Sequence, residues 1–534
     1  MGAKIMIFKK VKISAYKVLM QALLVGLLVG IVVGIFRFGI EKMSALWLKL
    51  FELTHDNPYW FVVVVVGLIL TGVIAGYFVH QQAHVGGSGI PEVKLQLQGK
   101  LDIPWWPILW RKLLGGIMVI STGIFLGPEG PSLQLGSTIG QGVGEKFKQS
   151  KTNSRILLAT GAASGLAAAF GAPLSGVMFV LEEVFHNFSS RVWMNALAGA
   201  IAADFVVSNV FGQKAVLAIP YKHTFPVNLY WQLVILGVIL GLLGQLYKHS
   251  LFSFKKIYTH ITWIPRWLHG LIPLLMVIPI AYYLPAITGP GHRLIFSLSG
   301  FITKSGWNIV LLLISFYILR IVFSIFSYDS GLPSGIFLPI LAMGAVIGAS
   351  YGMLMVNLHL MPAHLVVNLI IFSMAGYFAV IIRAPFTAII LITEMVGSLL
   401  HLMPLAVVAF VGLIIDNLMD GKPIYGMLAA HMQLDDMTQD ESGHEDQITV
   451  PVYEGSSMID KSISQISWPK NTLVKLIKRG SRDIIPNGKT KIVAGDALIL
   501  VIDEGQRATV YDEMTKLQGF KSVSYTHLTL PTKA

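Results

Sequence analysis

The side chains best suited to chemistry in this chain are carboxylates and hydroxyls set among glycine and proline. Glu129 lies within Gly127, Pro128, Glu129, Gly130, Pro131, and Glu182 and Glu183 are adjacent in Val180, Leu181, Glu182, Glu183, Val184. Ser88 lies within Gly87, Ser88, Gly89, Ile90, Pro91, and Tyr425 follows Gly421, Lys422 and Pro423. A further segment, Gly335, Ile336, Phe337, Leu338, Pro339, has no ionisable group and offers only backbone. The chain has 0 Cys, which excludes disulfides, thiolate metal sites and Cys nucleophiles. Proton transfer by carboxylates and anion coordination by hydroxyls and N–H groups remain, with no cofactor or metal expected.

Each glycine and proline segment reads as a loop entering a helix. Glycine allows close backbone approach, proline fits the first helical turn, and the unpaired N–H groups there point outward. Such an end carries roughly half a positive charge and binds anions without a full cation. A permeant anion is then held loosely enough to leave. A carboxylate at Glu129 would occupy the anion's place and withdraw when protonated, making it gate and proton carrier together. The competing reading is a glutamate that merely stabilises a helix dipole. Ser88 could likewise be a turn or N-cap serine, and Tyr425 an interfacial aromatic anchor. Ionisable residues in membrane segments suggest function, yet Glu182 and Glu183 end their run near His186 and Arg191, where a structural ion pair fits equally well.

The elements that must position these residues are duplicated. Gly127 to Pro131 continues to Gly136, Gly140 and Gly144, and 208 residues later Gly335 to Pro339 continues to Gly344, Gly348 and Gly352. Small residues four apart also let helices pack closely, which accounts for glycines taken singly. In a second pair, Pro173 precedes Glu182 by nine residues and Pro385 precedes Glu394 by nine. Two homologous halves follow, about 80 to 215 and 290 to 430. Broken helices in matching places are the signature of a transporter with its site at the repeat interface.

Composition places those halves in a membrane. Of 534 residues 54% are hydrophobic and only 13% charged, where soluble domains carry about 25%. The net charge of +12 fits cytoplasmic loops rich in Lys and Arg and needs no nucleic acid. Lys4, Lys9, Lys10, Lys12 and Lys17 precede an apolar stretch from Val18 to Phe36, read as a retained helix with a cytoplasmic N-terminus. Further runs lie near 60–79, 107–126, 156–181, 195–212, 229–247, 267–286, 306–327, 335–356, 363–382 and 386–415. Irregular backbone at membrane depth is tolerated only where protein or a water-filled cavity satisfies it, so the interruptions are candidate site positions.

The motifs GSGIP, GPEGP and GIFLP, in that order and with a downstream tyrosine, resemble those of the CLC family of chloride channels and proton-coupled chloride transporters over about residues 15 to 430. The resemblance implies an all-α polytopic membrane protein of inverted-repeat type, forming a homodimer with one pore per subunit. It implies chloride held by the Ser88 and Tyr425 hydroxyls and the N–H groups of Ile336 and Phe337. It also implies an external gate at Glu129 and internal proton transfer at Glu183, with Glu182 its structural neighbour. Both glutamates together favour exchange over a passive chloride channel, the alternative within this fold. Serine at 88 matches chloride-preferring members, and Ser88 with Tyr425 argues against fluoride. Pro128 departs from the Lys or Arg of many members and removes a donor and a charge beside the gate.

After Lys422 the composition changes. Residues 431–447, with Asp435, Asp436, Asp440, Glu441, Glu445 and Asp446, read as an acidic linker. From Ile448 to about Ile502 β-rich runs alternate with turn signals at Pro486, Asn487, Gly488 and at Gly495, Asp496. Residues 448–520 resemble the C-terminal subdomain of regulators of potassium conductance, a small α/β module that binds a small molecule or clamps a dimer. Residues 521–534 are excluded from the fold, the stretch from Ser522 resembling translated vector sequence. A potassium pathway lacks a TVGYG filter, and an intramembrane enzyme lacks HExxH or GxSxG. The expected setting is a bacterial plasma (inner) membrane, with lipid contacts and both termini cytoplasmic.

Overall fold

The computed structural model describes residues 2–186, 188–213, 217, 224–302, 306–436, 445–453, 455–479 and 482–503, with positions 510, 513, 514 and 517. The chain separates into two compact units, Met1–Ala429 and Ala430–Ala534. Among its described residues the first is built of helices joined by loops. Among the described residues eight helices are long and apolar enough to cross a membrane, and the protein is an integral multi-pass membrane protein.

The first half of the helical unit holds α1 (Gly2–Asp56), α2 (Tyr59–Gln81), α3 (Ile90–Gln98), α4 (Trp105–Ile120), α5 (Glu129–Lys146), α6 (Lys151–Phe170), α7 (Pro173–Phe179), a π-helical turn over Val180–Val184, and α8 (Ser190–Phe211). The second holds α9 (Tyr230–His260), α10 (Leu271–Tyr283), α11 (His292–Ile302), α12 (Trp307–Asp329), α13 (Phe337–Asn357), α14 (Val366–Ile382), α15 (Pro385–Val396), α16 (Leu402–Leu418) and α17 (Ile424–Asp436). Two apolar runs divide at their glycine or proline, and the first helix outlasts its apolar stretch. The run 156–181 is α6, α7 and the start of the π turn, because Gly171 (φ +60°) and Pro173 break it. The run 386–415 is α15 and α16, divided after Gly397 (φ +74°). Past the apolar stretch ending at Phe36, α1 continues to Asp56, and the Arg37 guanidinium donates to the Ala168 carbonyl at 2.7 Å and lies over the Phe211 ring.

Burial sorts these helices. In α14, 94% of the apolar window is buried and in α13 89%, against 33% in α2, so the first two are central and the last faces lipid. On α2, Val62, Val66, Leu70 and Ile74 form one exposed apolar stripe at four-residue spacing. Apolar surface gains nothing by leaving lipid, so close backbone packing holds the interior together. The glycine series does this twice. Gly136 on α5 and Gly161 on α6 each lie against the other's carbonyl, and Gly348 on α13 lies against Leu369 and Ser373 of α14. The packing reading of these glycines is therefore correct.

The second unit is an antiparallel sheet ordered β1-β4-β2-β3, with β1 (Glu445–Pro451), β2 (Thr472–Arg479), β3 (Arg482–Ile484) and β4 (Asp496–Asp503). Ile448, Val450, Ile477, Leu498 and Leu500 form its core, joined by Val510 and Met514 at helical positions. Turns form where the sequence marks them: Thr490 N–H bonds the Asn487 carbonyl at 2.9 Å, and Gly495 has φ +86° before β4. The acidic stretch is not linker throughout. Helix α17 reaches Asp436 and β1 begins at Glu445, while Asp440 and Glu441 lie outside the described residues, as do residues 521–534.

Candidate functional site

The site begins with two extended segments that cross. Gly127 N–H donates to the Gly335 carbonyl at 2.7 Å and Gly335 N–H to the Gly127 carbonyl at 2.8 Å, an antiparallel bridge between equivalent glycines of the two halves. Two residues on, each segment starts a helix, α5 at Glu129 and α13 at Phe337, so two helix N-termini open at one crossing. The Ser88 loop joins from the side. Gly87 N–H donates to Leu332 O and Ser334 N–H to Gly87 O, both at 3.1 Å, and a Cβ on Gly130 would strike Ser88. All three glycine and proline segments therefore meet.

Glu129 is 1% exposed. Its carboxyl lies against its own N–H and that of Leu338, in the first turn of α13. A Cβ on Gly127 would collide with Oε2, so that glycine makes room for the acid. Oε2 has no hydrogen-bond partner. A cavity of about 830 Å³ reaches Glu129, lined also by Arg37, Pro128, Asp204, His292 and Glu394. Ile336 and Phe337 are fully buried, the Phe337 ring packed on Phe378 at 4.5 Å and on Phe170 at 5.1 Å.

Tyr425 is also fully buried, which is not how an interfacial anchor sits. Its ring meets Phe179 edge-on at 6.1 Å, Phe179 meets Phe337 at 5.4 Å, and the hydroxyl has no hydrogen-bond partner. Tyr425 lies within electrostatic range of Glu129, Glu183 and Tyr328, and the Tyr328 hydroxyl lies near Ser88. Ser88 Oγ also accepts the Ile90 N–H at 3.3 Å, so the turn-serine reading holds whatever else the hydroxyl does.

The adjacent glutamates differ completely in their partners. Glu182 accepts the N–H groups of Phe386 (3.2 Å) and Thr387 (2.8 Å) and the Thr387 hydroxyl (2.7 Å), capping α15 from the other half. Glu394 answers it, accepting the N–H groups of Leu174 (3.0 Å) and Ser175 (2.8 Å) and the Ser175 hydroxyl, to cap α7. The repeated nine-residue spacing from proline to glutamate is this reciprocal cap. Glu183, 2% exposed in the π turn, pairs with Lys94, whose Nζ donates to Oε1 at 2.8 Å and to Glu183's own carbonyl at 2.9 Å. Neither glutamate has the Arg191 partner that spacing suggested.

Sequence reasoning missed the buried cations. Lys112 on α4 donates to the carbonyls of Val85 (2.8 Å), Gly86 (3.3 Å) and Gly87 (2.7 Å), tying down the Ser88 loop. Arg320 on α12 does the same for Ile287 (2.7 Å), Gly289 (3.3 Å) and Pro290 (2.9 Å). Both lie inside the apolar runs, where an ionisable residue is itself a signal. Lys94 gave no such signal, since it sits in a short helix between runs.

Crossed helix ends, reciprocal caps and a buried acid among amides define an inverted-repeat membrane transport protein. Residues 71–417 match the family model for the voltage gated chloride channel, and residues 448–515 match the TrkA-C domain. The chain belongs to the CLC family. It is 32% identical over 436 residues to the H(+)/Cl(-) exchange transporter ClcA of Vibrio parahaemolyticus, covering 77% of this chain and 89% of that one. It is 32% identical over 391 residues to ClcA of Klebsiella pneumoniae, covering 70% and 81%. The crystal structure of a slow cyanobacterial Cl-/H+ antiporter superposes with TM-score 0.73 at 27% identity, covering 78% of this chain and 98% of that one. The crystal structure of a eukaryotic CLC transporter, at 21% identity and TM-score 0.65 over 78% and 74%, shares the fold.

Proposed function

We infer that the protein is a secondary transporter exchanging chloride for protons across a bacterial plasma membrane. It works as a homodimer with one ion path per subunit. The observation that carries this reading is the Glu129 carboxyl seated at the Leu338 N–H beside the Gly127–Gly335 crossing. An acid in that position competes with an anion for the same amides. Chloride takes the seat when Glu129 is protonated and turned away, coordinated by the N–H groups of Ile336 and Phe337 and the hydroxyls of Ser88 and Tyr425. Glu183 receives the proton from the inner side. The exchange activity named for the ClcA relatives supports this reading over a passive channel. The sheet unit serves as a ligand-binding or dimer-stabilising module on the cytoplasmic side.

Flux in liposomes tests the proposal. A chloride gradient should drive proton uptake, and Glu129→Gln should abolish that uptake while chloride still moves. Glu183→Gln should also stop protons and spare chloride. Proton uptake that is absent in the native protein points to a channel, and uptake unchanged in Glu129→Gln removes that residue from its role.

A further inference from the structure

Lys94 lies between the Ser88 loop and Glu183. It lies on α3, one turn beyond Ile90 and the Ser88 loop, and its side chain is 6% exposed. Its Nζ donates both to the carboxyl and to the main-chain carbonyl of Glu183, at 2.8 and 2.9 Å. Two bonds to one residue fix the carboxyl's direction, and the second reaches a carbonyl in the π turn, where the α-helical pattern is broken. A Cβ built on Gly426 would lie 3.8 Å from the same Nζ, so the ammonium also borders the residue after Tyr425. No ordinary helix packing calls for a lysine here, because a buried cation is retained only where a partner compensates it.

We propose that Lys94 is the positioning residue for inner proton transfer, holding the Glu183 carboxylate charged and aimed until a proton arrives. The proposal rests on the assignment of Glu183 as the inner proton acceptor. In the step itself an O–H bond of a hydronium ion from the inner solution breaks, leaving water, and one forms on Glu183; Lys94 keeps its own proton, and the Nζ to Oε1 contact loses its ionic character. The neutral acid is then free to turn toward Tyr425 and Glu129. The other charged or titratable groups facing Glu183 are Glu182, tied to the α15 amides, Arg383, bonded to Asn417 and the Gly421 carbonyl, and Tyr425; His186 lies nearby on the same segment and senses Lys94. None of them bonds the Glu183 carboxyl as Lys94 does.

The experiment is chloride-driven proton uptake and chloride flux, measured together in liposomes, for Lys94→Met, Lys94→Arg, Glu183→Gln and the double variant K94M/E183Q. Lys94→Met should lower proton flux roughly tenfold or more and leave most of the chloride flux, changing the ratio of the two. Lys94→Arg should restore the ratio, since it keeps the charge and the donors. The double variant should match Glu183→Gln alone. A native ratio in Lys94→Met overturns the proposal, as does an equal fall of both fluxes in Lys94→Met that Lys94→Arg does not rescue. Should Lys94→Met alone fail to fold, Lys94→Gln, which keeps a donor without the charge, decides the matter: a lowered proton-to-chloride ratio supports the proposal and a native ratio overturns it, while chloride flux in the double variant below that of Glu183→Gln assigns Lys94 to the anion path or the fold instead. If Glu183→Gln leaves proton flux intact, the assignment of Glu183 fails, a result separable from every outcome above.

Discussion

In the first half Lys112 closes on three carbonyls of the loop before α3; in the second, Arg320, 208 residues later, closes on three carbonyls of the loop before α11. Both loops carry paired left-handed glycines, Gly87 and Gly89 (φ +59° and +80°) against Gly289 and Gly291 (φ +77° and +127°). Glu182 and Glu394 exchange caps between the two halves. The correspondence fails at a few positions. The spacing that pairs Gly127 with Gly335 sets Glu129 against Phe337, that of the caps sets Glu183 against Met395, and that of the loops sets Lys94 against Phe296. Charged groups present in both halves hold backbone. Glu129, Glu183 and Lys94, each present once at these matched positions, are the ones assigned to ion movement. A two-fold scaffold needs both copies of each support, whereas coupling a proton to an anion needs the two ends of the path to differ.

The largest test of this division removes the duplicated cations. Lys112→Met and Arg320→Met each leave buried carbonyls without a donor, and each should destabilise the protein by roughly 3 kcal/mol, read from unfolding in detergent. A loss confined to one half breaks the equivalence. The caps come next: Glu182→Ala and Glu394→Ala should each lose about 1–2 kcal/mol, with the ratio of proton to chloride flux unchanged. If Glu182→Ala uncouples transport as Glu183→Gln is expected to, the separation of the adjacent acids collapses.

Much of this was legible in the sequence because glycine and proline mark backbone that cannot be ordinary helix. The three segments, their meeting and the repeat all follow from that. The cap spacing was visible as well, but its meaning was not, since Glu182 and Glu394 find partners about 205 and 220 residues away. For the same reason sequence could not choose between Glu182 and Glu183, which one rotation of the chain sends to different elements. Lys94 stayed hidden because a lysine in a short amphipathic segment looks solvated until its neighbour is known. The helix beyond Phe36 was not legible either, because local hydropathy cannot show that Ala168 and Phe211 receive the Arg37 guanidinium.

The sheet unit has no second copy, so duplication cannot sort its ion pair, and acid must do so instead. Arg479 and Asp496 face each other across β2 and β4, joined by two bonds of 2.8 Å, and Asp496 also accepts the Val493 N–H at 3.0 Å. Burial pushes the Asp496 carboxyl up, yet the Arg479 fork and the Val493 N–H outweigh it and hold the group below the usual aspartate range. A carboxyl lowered in the folded state adds stability at pH above the unfolded value, about 3.9, and loses it as pH falls through the folded value. Hydrogen exchange of the β2 and β4 amides in the full-length protein should therefore be steady from neutral pH to about pH 4, once corrected for intrinsic rates, and speed up below it. Asp496→Asn should flatten that acid response while lowering protection at neutral pH. An acid response that persists in Asp496→Asn would mean that other carboxylates hold the sheet and that this pair, single as it is, behaves like an ordinary surface contact.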